Sequence, residues 1–239
     1  MTSNHFHPTE IYSYSLSRLL ERFSYYGVRT LLIFYMLSDR IGMEENFSFK
    51  IYGFFAFGIV ISGIIGAIVG DLIIGNKLAI IWGGALRTLG IFALCIPNQT
   101  SFFIAIFLIC IGGGLYSPNM IANTGKLYLS RLRLMDSGYL IFYLAINIGA
   151  AVGTFVIGFF GSENFTLGFL IAGLSMLLST IIATITLKKE PHFTITDKTN
   201  KNQFSTNSLN IGAILIFSAI FWMASDISYA ESTIIIQSL

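Results

Sequence analysis

Long apolar stretches separated by short polar connections dominate the chain. Seven stretches are long enough for a helix that crosses a bilayer, which needs about 20 residues: residues 11–37, 50–74, 78–97, 101–125, 138–161, 165–187 and 209–231. Around the second, fifth and sixth stretches, residues 51–70, 137–162 and 164–187 contain no Asp, Glu, Lys or Arg. The third stretch carries Arg87 midway and the fourth carries Pro118, so we expect these two helices to be less regular. The pattern predicts an all-α membrane protein.

The low content of charged residues supports this prediction. The 239 residues include 14 Lys or Arg and 12 Asp or Glu, which is 11% of the chain, whereas a soluble domain has about 25%. Most of the surface is therefore expected to contact the lipid bilayer. The net charge is +2 and no basic run is present, so we expect no nucleic-acid partner.

Lys and Arg are distributed unevenly among the predicted connections. The first, third and fifth connections contain only Arg40 and Lys50, whereas the second, fourth and sixth contain eight basic residues. Basic residues concentrate on the cytoplasmic side of membrane proteins. We therefore predict a multi-pass protein of the cell membrane (inner or plasma) with a cytoplasmic amino terminus.

One long polar stretch divides the predicted helices. Residues 188–208 begin with the sequence Lys-Lys-Glu-Pro and continue with many Thr, Asn and Lys residues, which is typical of a linker. We therefore expect three parts: a six-helix bundle over residues 1–187, a cytoplasmic linker over 188–208, and over 209–239 the first helix of an incomplete second half.

The first apolar stretch is unusual because it contains ionisable residues at bilayer depth. Its polar side chains recur at spacings of three or four, which places them along one face of a helix: Arg18, Arg22, Tyr25, Tyr26 and Arg29. Glu21 lies beside this face. Such a face is too costly to expose to lipid, so we expect it to line a water-filled cavity and to bind a carboxylate or phosphate group. The alternative is a structural ion network, or arginines that extend to the membrane interfaces, with Arg18 the first candidate for this.

Asp226 is the second ionisable group that needs an explanation, because it lies about midway along the last apolar stretch. It is suited to meet a cationic group of a ligand, or an arginine across a cavity. If the arginines bind the anionic end of a ligand and Asp226 its cationic end, the ligand is a zwitterion. The alternative is that Asp226 forms a local cap or pair in its own helix.

Several other positions are suited to helix contacts or to conformational change. Asp71 lies where the second helix reaches the cytoplasm, and it can accept hydrogen bonds there in one conformational state only. Small residues at 149 and 153 favour close helix packing, and the glycines at 112–114 are expected to make a helix thin. Arg87 has no acidic residue on its own helix, and the sequence offers no partner for it.

Signatures of catalysis are missing from the sequence. The chain offers no nucleophile with a matching base and no phosphate-binding loop, so we do not expect an enzyme. The three histidines have no further ligands at a usable spacing, and we therefore expect no metal and no cofactor.

Five segments resemble motifs of the proton-dependent oligopeptide transporter family, a branch of the major facilitator superfamily. Residues 136–149 (DSGYLIFYLAINIG) resemble the fifth-helix signature of that family, which is the most specific of the five. The others are ERFSYYGVR at 21–29, DLIIG at 71–75, GGGLYSPN at 112–119, and Phe221-Trp222 followed by Asp226. The resemblance runs over nearly the whole chain.

The resemblance implies a symporter that carries di- and tripeptides inward with protons by alternating access. It implies that Glu21 and Arg22 form the proton-coupling pair and that Arg22 and Arg29 lie near the peptide carboxylate. The remaining substrate contacts that it implies are Tyr25, Tyr26, Asn147 and, for the peptide amine, Asp226.

The chain departs from this family at four positions and in length. Family members usually have a glutamate in place of Arg18, a lysine in place of Ser117, a tyrosine in place of Val60 and a glutamine in place of Ile227. They also have two six-helix halves, so the length predicts a truncated form, which is a split gene product with a separately encoded second half, a prematurely terminated gene or an incomplete sequence. Two alternatives are a seven-span membrane protein that binds a ligand without transporting it and a non-functional remnant of a transporter.

Overall fold

The computed structural model describes residues 6–189, and this part of the chain is a bundle of six long helices. The helices are α1 (Glu10–Leu37), α2 (Glu45–Val69), α3 (Asn76–Ala93), α4 (Gln99–Lys126), α5 (Met135–Glu163) and α6 (Phe165–Lys189). A π-helical turn, Gly70–Ile74, continues α2, and a 3-10 turn, Leu132–Leu134, precedes α5. The first six predicted stretches are therefore confirmed as helices, while most of the predicted linker and the whole seventh stretch with Asp226 lie outside the described residues.

Four of the described helices are long and apolar enough to cross a membrane: Glu45–Ile74, Gln99–Lys126, Leu132–Glu163 and Phe165–Lys188. They expose large apolar side chains such as Phe54, Phe107 and Phe155 on their outer faces. α1 and α3 are less apolar because α1 carries its charged residues near its middle and α3 begins with Asn76-Lys77. These two helices need neighbours that shield their polar side chains from lipid.

The packing of the bundle provides this shielding. α1 packs most extensively against α5 and also against α6, while α3 packs against α4 and α6, and α4 also packs against α2. α1 meets α2 and α4 over only a small area. The face of α1 that carries the arginines therefore lies at the boundary between the α1/α5/α6 group and the α2/α4 group.

Glycines in α4 bring its neighbours close. A Cβ atom at Gly112 would overlap the backbone of α3 at Arg87, and one at Gly114 would overlap the carbonyl of Ser62 in α2. α4 also continues through Pro118 as one helix. The prediction that the glycines at 112–114 make this helix thin is confirmed, and the thin segment allows Arg87 to approach α1.

Glycines in α5 play the same role against α1. A Cβ atom at Gly149 would overlap the carbonyl of Leu19, and one at Gly153 would overlap the carbonyl of Phe23. The predicted close packing at these two glycines is thus confirmed, and it brings α5 directly against the backbone of α1 at Leu19 and Phe23.

Candidate functional site

A buried carboxylate near the middle of α1 forms the centre of an ion cluster. The side chain of Glu21 is fully buried, and its Oε2 atom lies 2.9 Å from Nη1 of Arg18 and 3.0 Å from Nε of Arg22. Its Oε1 atom accepts a hydrogen bond from Nη1 of Arg87 in α3. One carboxylate therefore joins three guanidinium groups and connects α1 to α3.

Ser117 and Tyr25 complete this cluster. The hydroxyl of Ser117 in α4 accepts hydrogen bonds from Nη1 of Arg18 at 3.0 Å and from Nη2 of Arg22 at 3.3 Å. The guanidinium groups of Arg87 and Arg22 lie 4.9 and 5.6 Å from the centre of the Tyr25 ring, which is within cation–π range. The cluster thus connects three helices through charged and polar contacts.

The structure decides between the alternatives for Arg18. This residue is only 2% exposed, so the alternative in which it extends to the membrane interface does not hold. The physical reason is that Glu21, one turn further along α1, and Ser117 in α4 both bind its guanidinium group inside the bundle.

The structure also supplies the partner that the sequence did not show for Arg87. Arg87 is 3% exposed and pairs with Glu21, which lies 66 residues earlier in the chain. A lone arginine within an apolar stretch indicates an acidic partner on another helix. That signal was present in the sequence, but the choice of partner depends on how α3 packs against α4.

A second group of polar side chains follows along α1. Nε of Arg29 donates a hydrogen bond to the hydroxyl of Tyr52 in α2 at 2.8 Å, and its guanidinium group lies 6.0 Å from the centre of the Tyr26 ring. The rings of Tyr25 and Tyr26 meet edge to face at 5.2 Å. Unlike the buried Glu21, the side chains of Arg22, Tyr26 and Arg29 are partly exposed. We call these three residues the arginine face.

Asn147 makes its described hydrogen bond within its own helix. It lies on α5, its side chain is exposed, and its amide nitrogen donates to the carbonyl of Tyr143 in the same helix at 2.8 Å. Within residues 6–189, no hydrogen bond joins Asn147 to the arginine face. Of the predicted substrate contacts, Arg22, Tyr25, Tyr26 and Arg29 are therefore brought together along α1, Asn147 lies exposed on the neighbouring α5, and Asp226 is outside the described residues.

Asp71 belongs to a polar network at the end of α2. It is exposed and accepts a hydrogen bond from Nδ2 of Asn76 at 2.7 Å, and the same amide donates to Oδ1 of Asn119 in α4 at 2.8 Å. Nζ of Lys126 in turn donates to the amide oxygen of Asn76. Gly75, with φ of 84°, adopts the left-handed conformation that the tight connection requires. Asp71 is thus linked through Asn76 to α3 and α4, and no sequence pattern indicated Asn76, Asn119 or Lys126 as its partners.

A layer of hydroxyl groups lies next to the ion cluster. The hydroxyl of Ser17 is 2.7 Å from that of Tyr116 in α4, and the hydroxyls of Tyr116 and Ser179 in α6 are 3.0 Å apart. All three side chains are fully buried. This layer was not predictable from the sequence, because scattered Ser and Tyr residues in apolar helices give no periodic signal.

The described part of the chain has no metal centre. Among residues 6–189, no group of three or more His, Cys, Asp or Glu side chains could hold a metal ion. The chemistry available at the site is therefore that of guanidinium, carboxylate and hydroxyl groups, which suits the binding of an anionic ligand.

The helix bundle and its ion cluster define a multi-pass membrane protein with a polar site between helices. A model of the POT family (PTR2) matches residues 77–222. The chain therefore belongs to the POT family, which confirms the resemblance of its motifs. It is 32% identical over 189 residues to an uncharacterized transporter, YclF, of Bacillus subtilis, covering 77% of this chain and 38% of that protein.

Two further comparisons agree with this assignment. The chain is 28% identical over 234 residues to the di-/tripeptide transporter of Lactococcus lactis, covering 92% of this chain and 47% of that protein. The fold matches the crystal structure of a variant of the peptide transporter POT with a TM-score of 0.75 and 31% identity, covering 89% of this chain and 46% of the other. The chain thus spans less than half the length of these relatives.

Proposed function

We propose that this chain is the six-helix amino-terminal part of a membrane transporter for di- and tripeptides, which works by alternating access as a proton symporter. The observation that carries the proposal is the partly exposed arginine face beside a buried carboxylate. The printed names of the relatives support it, since one is a di-/tripeptide transporter and another a peptide transporter.

The arginine face binds the carboxylate end of the peptide in this proposal. Arg22 and Arg29 lie two turns apart on the same face of α1, and each offers a permanently charged, forked donor. Tyr25 and Tyr26 fill the space between them and position the two guanidinium groups through ring contacts. Asn147 provides a polar contact and Asp226 meets the peptide amine.

Glu21 and Arg22 are the proposed proton-coupling pair. Arg22 contacts Glu21 at 3.0 Å and is the partly exposed member of the cluster, so a peptide carboxylate can compete with Glu21 for it. A carboxylate that loses one of its cationic partners binds a proton more readily. Peptide binding and proton binding are then linked through one guanidinium group.

Asp71 is the proposed switching residue. It joins the ends of α2, α3 and α4 through Asn76 and Asn119, at the end of the bundle that we assign to the cytoplasm. A network of this kind stabilises one arrangement of the helix ends. It can therefore form in one of the two states of alternating access and break in the other. We also propose that a second six-helix half, encoded with this chain or separately, forms the other wall of the pathway.

Uptake by proteoliposomes tests the proposal. The vesicles contain the 239-residue chain, either alone or together with the second half encoded beside it, and uptake of a labelled dipeptide is measured with and without an inward proton gradient. We expect uptake that increases with the gradient and is competed by unlabelled dipeptide. Binding without uptake in both preparations would instead indicate a protein that binds without transporting.

A further inference from the structure

The hydroxyl layer of Ser17, Tyr116 and Ser179 is a closed set of hydrogen-bond contacts. Ser17 in α1 donates to the carbonyl of Ser179 in α6 at 2.8 Å, and Ser179 donates to the carbonyl of Ser17 at 2.7 Å. The hydroxyl of Tyr116 in α4 lies 2.7 and 3.0 Å from the two serine hydroxyls, which are 3.1 Å apart. A hydroxyl can both accept and donate a proton, so the layer can pass a proton from one member to the next.

The layer lies close to Glu21. Ser17 precedes Glu21 by four residues, which is about 6 Å along a helix, and the charges of Glu21 and Arg18 act on the hydroxyl of Tyr116. Arg18 cannot carry a proton onward, because a guanidinium group stays protonated in proteins. The hydroxyls of the layer can do so, through one water between them and the carboxylate.

A cavity of about 300 Å³ continues from the layer toward the beginning of α1 and the end of α6. Its lining residues are Thr9, Glu10, Ser13, Ile182, Ile185 and Thr186. Ser13 lies one turn before Ser17 and Ile182 one turn after Ser179, so the cavity begins about one turn from the layer. A cavity of this size with hydroxyl and carboxyl groups in its wall is suited to hold water. It lies at the end of the bundle that we assign to the cytoplasm.

We propose that the hydroxyl layer and this cavity form the path by which the proton bound at Glu21 reaches the cytoplasm. The inference rests on the proposed function, because it gives a route to the proton of the symport. Protonated Glu21 gives its proton to the water beside the layer and becomes a carboxylate again. Each hydroxyl of the path accepts a proton on its oxygen and releases its own to the next group, and water in the cavity receives the last one. Tyr116 is then a proton relay that does not touch the peptide.

The alternative is that the layer only holds α1, α4 and α6 together. Tyr116→Phe separates the two roles, because it removes one hydroxyl and leaves the reciprocal bonds between Ser17 and Ser179 in place. Net uptake driven by a proton gradient requires release of a proton in every cycle. Exchange of labelled for unlabelled dipeptide does not, because a carrier that is loaded in both directions keeps its proton.

Both processes are measured in proteoliposomes, in the preparation in which the parent chain transports. Tyr116→Phe should reduce net uptake at least about tenfold, since proton transfer through a positioned group contributes at least that factor, while exchange should stay within about twofold of the parent rate. Net uptake by this variant should also slow in D2O more than uptake by the parent chain. The control is Tyr35→Phe, which removes another buried hydroxyl, one that donates to the carbonyl of Leu94, and should change neither process.

A second variant tests the cavity without changing the layer. Ser13→Leu places an apolar side chain in the cavity and should reduce net uptake more than exchange, whereas Ser13→Ala leaves the cavity open and should behave like the parent chain. Because a cavity has room for the larger side chain, this variant is the decisive one if Tyr116→Phe does not fold.

The possible results separate this inference from the proposed function. Unchanged net uptake by Tyr116→Phe and Ser13→Leu would overturn the inference alone, and so would an equal loss of net uptake and exchange. No uptake and no exchange by the parent chain would overturn the proposed function. Uptake by the parent chain that does not respond to the proton gradient would overturn the proposed symport, and the inference with it.

Discussion

At the scale of single residues, Glu21 organises the polar interior of the bundle. It is the shared acceptor for guanidinium groups from α1 and α3, and it is fully enclosed. Whether a buried ion cluster adds stability over an apolar core depends on its geometry, but removal of one member leaves the others buried without a partner. Substitution of Glu21 should therefore reduce the stability of the bundle much more than substitution of an acidic residue on the surface.

Glu21→Gln should destabilise the bundle by about 3–5 kcal/mol, the usual cost of breaking a buried ion pair by removing one partner. The glutamine keeps the size of the side chain but leaves three guanidinium groups without their carboxylate. Thermal unfolding of the purified chain in detergent measures the change. Glu163→Gln, at an exposed acidic residue near the end of α5, is the control and should leave the unfolding temperature unchanged. Equal effects of the two substitutions would contradict the role of Glu21.

Arg29→Lys should weaken dipeptide binding by about tenfold while the charge is kept, because lysine lacks the forked donor that matches a carboxylate. It also removes the Nε atom that donates to Tyr52. Isothermal titration of the purified protein with a dipeptide measures the affinity. Arg40→Lys should bind like the parent chain, and an unchanged affinity in Arg29→Lys would show that Arg29 is not a carboxylate ligand.

The polar face of α1 was predictable because helical spacing alone places Arg22, Tyr26 and Arg29 together. The contact of Arg18 with Ser117 and that of Arg87 with Glu21 were not, since each joins helices that are distant in the chain. Arg18 is near one end of its apolar stretch and so looks free to reach the interface. Its burial follows from the approach of α4, which the local sequence of α1 does not encode.

At the scale of helices, glycines determine which pairs come close. α5 meets α1 where Gly149 and Gly153 leave room for carbonyl groups of α1. In a bilayer, such contacts replace the hydrophobic effect as a source of helix association, because lipid is as apolar as the side chains. The spacing of small residues is therefore a direct sign of which faces pack, and it was read correctly from the sequence.

Gly149→Ala should destabilise the bundle by about 1–3 kcal/mol, the usual cost of inserting a methyl group into a tightly packed interior. The new Cβ atom would overlap the carbonyl of Leu19. The control is Gly63→Ala in α2, where nothing lies within 4 Å of the added atom. There the higher helix propensity of alanine should increase stability by up to about 1 kcal/mol. Thermal unfolding of both variants in detergent gives the comparison, and a loss of stability at both sites would argue against specific packing at Gly149.

Helix positions were predicted better than helix ends. Apolar stretches locate all six described helices, but α2 begins at Glu45, five residues before the predicted position 50, and continues past Val69 as a π-helical turn. Hydropathy marks only the part of a helix that meets lipid, and helices extend beyond it into water. The π-helical turn at Gly70–Ile74 is defined by its backbone hydrogen bonds, and a pattern of apolar residues does not predict these.

At the scale of the whole molecule, the proposed function makes the six described helices one wall of a transport pathway. The arginine face lies where α1 meets α2 and α4 over a small area, and the proposed second half would close the opposite side. Transport then requires the helix ends to rearrange while the site keeps its geometry. The network around Asp71 lies at one end of the bundle, and the arginine face lies along the middle of α1.

Asp71→Ala should therefore slow transport while leaving peptide binding unchanged. The substitution removes the acceptor for Asn76, and a hydrogen bond to a charged group is worth about 1.5–3 kcal/mol, so the balance between access states should shift by roughly 10–100-fold. Dipeptide affinity by titration and initial uptake rate in proteoliposomes separate the two effects. Asp39→Ala, at an exposed acidic residue of the connection after α1, should change neither. A parallel loss of affinity in Asp71→Ala would place its effect in the binding site.

The orientation of the chain in the membrane can be tested without knowledge of the substrate. Basic residues in the even-numbered connections assign those connections to the cytoplasm. The two cysteines, Cys95 and Cys110, are partly buried and are first replaced by serine and alanine. A single cysteine is then introduced at Ser130, in the exposed connection between α4 and α5, or at Asp39, between α1 and α2. In intact cells a membrane-impermeant maleimide should label Asp39→Cys at once and Ser130→Cys only after permeabilisation, and the reverse order would place the amino terminus outside.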